Sequence, residues 1–143
     1  MSFSRQVSRL ALAGVPIVLL VGLVAYVSAS AGLARVFFVS PTDGATVTSP
    51  VKIIMGATNF IVEPAGEVKA GAGHLHIMVD TDCLAAGQVV PKDDTHVHYG
   101  KGQTEAEMTL SSGPHTLCLQ AADGAHIALA GEGMTQKITI TVK

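Results

Sequence analysis

A chain of 143 residues is long enough for one domain and too short for two of ordinary size. With a formal charge of −2, no Trp and 4% aromatic residues, it lacks the basic, ring-studded surface that a nucleic-acid binder needs, so that class is excluded. Two cysteines and six histidines are the main carriers of reactive or ligating chemistry.

The chain begins with Arg5 and Arg9 and then runs without a charge to Arg35, and Leu10 to Val27 is almost wholly apolar. This is the layout of a secretory signal or an N-terminal membrane anchor, formed by one hydrophobic helix with its basic end in the cytoplasm. Ala29, Ser30 and Ala31 offer small residues for cleavage, whereas the length of the apolar run suits retention. On either reading, residues 32–143 form an extracytoplasmic domain, periplasmic, cell-surface or secreted. If residues 1–31 are retained, residues 10–27 anchor it in the cytoplasmic membrane. Both arginines of the leader removed, the domain keeps seven Lys and Arg against eleven Asp and Glu and is mildly acidic.

Beyond residue 34 the chain reads as short β-like runs separated by turn residues, with no helical period. Expected strands are 35–39, 51–56, 75–80, 96–99, 105–110, 115–120 and 137–142. Turns are signalled by Pro41-Thr42-Asp43-Gly44, Ser49-Pro50 and Ser112-Gly113-Pro114. Seven short strands in this length predict an all-β fold, an immunoglobulin-like sandwich. Alternation places Leu75, Ile77 and Val79 in the core, together with Ala106, Met108 and Leu110 and with Ile138, Ile140 and Val142.

The same parity puts His74, His76, Met78 and Asp80 on the face of their strand opposite the core. Alternate side chains on one strand face lie about 6 to 7 Å apart, so two imidazoles there can grip one ion or share a polar patch. His96 and His98 repeat the spacing on the next strand. The candidate metal ligands are therefore His74, His76, His96 and His98, with Met78 and His126 as further donors. Imidazole suits zinc or copper, and a thioether tilts the set towards copper. The competing reading makes the histidines structural, donating and accepting hydrogen bonds between loops and strands. His115, at the corner Gly113-Pro114-His115, is expected to be structural.

Cys83 follows the third expected strand and Cys118 lies in the sixth. An even count in an oxidising compartment predicts a disulfide, with a thiolate ligand or nucleophile as the alternative. Gly100-Lys101-Gly102-Gln103-Thr104 lacks phosphate-loop spacing and a following helix, and reads as a hairpin turn. Glu105 and Glu107 read as a solvated strand face, and Asp93 and Asp94 as a turn before His96. There is neither a Gly-x-Ser-x-Gly elbow nor a His-Glu-x-x-His motif, no catalytic or cofactor-binding residue is assigned, and the chain is expected not to be an enzyme.

Three runs carry a resemblance: Gly73 to Asp80 (GHLHIMVD), Val90 to Glu105 (VPKDDTHVHYGKGQTE) and Ser112 to His126 (SGPHTLCLQAADGAH). Over about residues 50–143 the chain resembles the bacterial domain of unknown function 4399 family. The resemblance implies an exported β-domain with histidines as its signature, and implies no activity or cofactor. Family members often carry a further histidine where this chain has Leu75.

Two functions follow. In the first, a non-catalytic binding module takes up copper or zinc on a histidine cluster, and the four strand histidines converge on an exposed patch. In the second, the domain is structural or an accessory to a membrane or envelope protein complex, and its histidines are buried against backbone partners.

Overall fold

The computed structural model describes residues 32–143. The expected hydrophobic helix and its cleavage point lie outside them. The domain is almost entirely β and forms two sheets.

The first sheet contains β1 (Arg35–Ser40), β3 (Val51–Thr58) and β7 (Glu105–Met108), antiparallel in the order β1-β3-β7. The second runs β2 (Thr46–Val47), β9 (Thr135–Val142), β8 (Gly113–Ala122), β5 (Ala72–Val79) and β4 (Ile61–Val62), and β6 (His96–Tyr99) also pairs with β5. A single 3₁₀ turn, Glu132–Met134, precedes β9.

The alternation of β9 shows how the sequence drives the fold. Ile138, Ile140 and Val142 are buried while Lys137, Thr139 and Thr141 face solvent. The same period brings Val36 and Phe38 of β1, Val51, Ile53 and Met55 of β3, and Met108 of β7 against Leu75 and Ile77 of β5 and Leu117 and Leu119 of β8. One apolar core thus lies between the sheets. Val79, Ala106 and Leu110, expected inside, are only partly buried at its margin.

All seven expected strands form, with ends shifted by a few residues, and the two-residue β2 and β4 are additions too short to show a period. The expected hairpin at residues 100–104 is corrected. Gly102 does close a turn on the Tyr99 carbonyl at 3.2 Å, but β6 pairs with β5 and β7 with β3, so the segment crosses from one sheet to the other.

β5 departs from simple alternation, since every residue from Ala72 to Met78 is buried. Strands buried on both faces need a cover on each. On the side away from the main core, the cover is irregular chain from residues 83–92 and 123–128. The Val90 amide donates to the His126 carbonyl, Ala128 to Gln88 and Gly87 to Ala128, each at 2.9 Å. Buried Gln120 fastens this roof from below, accepting from the Leu84 amide at 2.8 Å and donating to the Leu84 carbonyl at 3.3 Å. Met78, Val90, Cys118 and Ala122 form a small second apolar cluster beneath it, joined by the Cys83–Cys118 disulfide. The expected disulfide forms, and it ties the loop after β5 to β8.

Candidate functional site

The roofed face of β5 carries His74 and His76, and sheet register decides what meets them. His76 pairs with His98 of β6 on one side and Gln120 of β8 on the other, and His74 pairs with Ala122. His126 arrives from the turn after β8. There the carboxylate Oδ1 of Asp123 accepts from the amides of Ala125 (2.8 Å) and Ile127 (2.9 Å), and the His126 amide donates to the Asp123 carbonyl at 3.1 Å. This turn holds His126 at φ 66°, a left-handed conformation uncommon outside glycine. Gly124 is tucked so closely over the Glu67 carbonyl that a Cβ would not fit.

Four imidazoles from three chain segments therefore converge. Five of the six ring-to-ring distances among His74, His76, His98 and His126 lie between 4.6 and 4.9 Å, and the sixth, His76 to His126, is 5.9 Å. Nε2 of His74 is 2.9 Å from Nε2 of His76, and Nε2 of His98 is 3.1 Å from Nε2 of His126. Ligand nitrogens of His74, His76 and His98 lie within 4.8 Å of one another. Two nitrogens bound to one ion at about 2.0 to 2.1 Å stand roughly 3 Å apart and at most about 4.2 Å, so the two short pairs are already on the scale of a coordination sphere, while the wider separations must shrink for one ion to reach every ring.

His74 and His76 are almost completely buried, at 0% and 1% exposure. Burial, then the neighbouring imidazoles, pushes His74 down to about 4 and His76 to about 3. Burial, His126 and the Lys92 charge lower His98 as well. His74, His76 and His98 are thus held in the uncharged form at neutral pH, the form in which imidazole offers a lone pair to a metal. A neutral imidazole has one donor and one acceptor nitrogen, so the short Nε2 pair of His74 and His76 needs one ring of each tautomer. The Nδ1 atoms of His74 and His76 are left buried without a hydrogen-bond partner. Unsatisfied buried polar atoms cost free energy, and a group that reorganises these rings has that cost to recover.

A pocket of about 330 Å³ opens beside the cluster, lined by His76, His98 and His126 on one wall and by Val89, Val90, Pro91, Lys92 and Ala125 around the rest. Two hollows of about 500 and 600 Å³ lie near residues 32–36 and 129–136 and contain no histidine, so size alone does not locate the chemistry.

The expected ligands divide. His74, His76, His98 and His126 come together. His96 shares their face but its Nδ1 is engaged with Asp93 Oδ1 at 2.7 Å, in a turn where the same oxygen accepts from the Thr95 and His96 amides. Met78 stands opposite His96 in register and is packed with Val90, Cys118 and Ala122 in the apolar cluster. The exposed patch expected of a metal site is instead a half-roofed one. Backbone partners, expected of structural histidines, are found for His115, whose Nδ1 meets Asp80 Oδ2 at 2.7 Å and whose Nε2 meets the Ser111 carbonyl at 2.9 Å.

Three contributors carried weak sequence signals. Asp123 sits in an Asp-Gly turn that aims His126. Lys92 reaches the pocket rim. Gly100 lies against the His98 ring, leaving no room for a Cβ.

The chain belongs to a family described as a domain of unknown function (DUF4399), whose model matches residues 53–143. Neither the curated proteins nor the solved structures provide a match.

Proposed function

We propose that this member of the DUF4399 family is a non-catalytic, extracytoplasmic metal-binding module that holds one copper or zinc ion on His74, His76, His98 and His126. The observation that carries the reading is that the Nε2 atoms of His74 and His76 on β5 meet each other, those of His98 and His126 meet each other, and the ligand nitrogens of His74, His76 and His98 lie within 4.8 Å of one another. Neutral nitrogen donors of this kind suit zinc and copper. With Met78 packed into the apolar cluster, the donor set is imidazole alone, which favours the divalent ions.

The disulfide supports an oxidising compartment. Among the described residues no helix is long and apolar enough to cross a membrane. We assign membrane attachment to residues 10–27 where these are retained, with an envelope protein as the natural partner. The two sheets about one core and the His115 tie to the chain four residues upstream favour an immunoglobulin-like sandwich. Its departure from that pattern is a disulfide on the outer face of one sheet instead of between the sheets.

Calorimetric titration of the purified protein with Cu(II) and Zn(II) tests the function, beside a variant carrying His74→Ala and His76→Ala. Stoichiometric binding that the variant loses is expected. No saturable binding of either ion overturns the reading and leaves the histidines a structural role.

A further inference from the structure

The charge of the site is incomplete for the ion it would hold. Four neutral imidazoles bring no negative charge, and none of the eight residues lining the adjoining pocket is Asp or Glu. Asp123 is felt at His74, but its Oδ1 is already occupied by the amides of Ala125 and Ile127, and one carboxylate offsets at most half of a dication. Lys92, on the rim, adds a further positive charge. A partly buried divalent ion in such surroundings carries an uncompensated charge, which is costly unless a counter-ion accompanies it.

The space is also asymmetric. His74 is sealed behind the cluster, whereas His76, His98 and His126 face the hollow. A closed structural metal site surrounds its ion with protein atoms, while a site that exchanges ligands keeps one side open. At about 330 Å³ the hollow is many times the roughly 30 Å³ share of a water molecule in the liquid. Its walls of Val89, Val90 and Pro91 are apolar, favouring a small, weakly hydrated anion over a strongly hydrated or bulky polar one.

Building on the metal-binding reading, we propose that the bound ion keeps a coordination position open to this pocket, where it takes a small monovalent anion beneath the Lys92 ammonium. The anion completes the coordination and neutralises charge that the imidazoles leave unbalanced.

The test uses azide on the Cu(II)-loaded protein, with Co(II) as the spectroscopic substitute if copper is not retained. Azide is expected to produce a saturable ligand-to-metal charge-transfer band and to change the metal's electronic spectrum. Lys92→Met is expected to weaken the azide affinity by about fivefold, as loss of one partly screened charge should, while leaving metal stoichiometry intact. Failure of Cu(II) and Zn(II) alike to bind overturns the underlying metal reading. Metal binding with a spectrum unmoved by azide overturns the open position alone, and azide binding indifferent to Lys92→Met overturns the role given to the lysine.

Discussion

His98 and His126 are separated by 28 residues, yet their Nε2 atoms face each other at 3.1 Å. One is fixed by strand pairing and the other by a turn, so the contact joins the sheet to its roof. His126→Ala should therefore lower metal affinity by at least the roughly 10- to 100-fold that loss of a group supporting a metal ligand costs. His96→Ala, which removes an imidazole engaged with Asp93, should leave affinity within about twofold. Competition titration of the two variants against a chromogenic chelator checks the contrast, and equal losses would contradict the four-histidine assignment.

Gly100→Ala should act on the site more than on the fold. A Cβ at this position would overlap Cε1 and Nε2 of His98, and the ring must swing aside to admit it. The expected result is a loss of metal affinity of about tenfold or more, comparable with His98→Ala. Thermal unfolding of the metal-free protein should shift by only a few degrees, which separates ring displacement from unfolding.

Removing the disulfide with Cys83→Ser and Cys118→Ser opens a loop spanning 35 residues. Chain entropy predicts a loss of about 3 to 4 kcal/mol, read from the urea midpoint of the metal-free protein. Since Cys118 packs beneath Val90, the roof over the histidines should loosen with it, and amide exchange at Val90 and Ala128 should accelerate.

The Asp80–His115 pair predicts a pH signature separate from the metal site. Hydrogen bonds to Asp80 and to the Ser111 carbonyl raise His115 above 6.5. Burial pushes Asp80 up, but its bonds from the Thr116 amide and His115 outweigh this and hold it below 3.8. The histidine's contribution is complete below pH 6.5 and fades as pH rises through its raised pKa. The carboxylate's contribution is complete above about pH 3.8 and fades as pH falls through its lowered one. The stability gap between the native protein and Asp80→Asn should therefore be larger at pH 5.5 than at pH 9 in denaturant unfolding, and modest because Asp80 is half exposed.

Strand parity made much of this legible in the sequence. Leu75 and Ile77 fall on one face and His74 and His76 on the other because the period of a strand is two, whatever surrounds it. Cysteine count gave the disulfide for an equally local reason. Parity could not separate His96 from His98, which share a face. Only the turn at Asp93 and the register against Met78 and His76 do so. Nor could it show that His74 and His76 are buried, because their cover is irregular chain without a period. The split of β6 and β7 between sheets is hidden for a related reason, since a turn-rich segment reads alike whether it closes a hairpin or crosses a core.

The roof over β5 also sets a clock. Its hydrogen bonds from Val90 to His126 and from Ala128 to Gln88 tie shut the chain on either side of the pocket, leaving His74 at the closed end. On the metal-binding reading, release of an ion from His74 and His76 waits on the parting of these loops, while the ligand of the open position exchanges through the pocket without it.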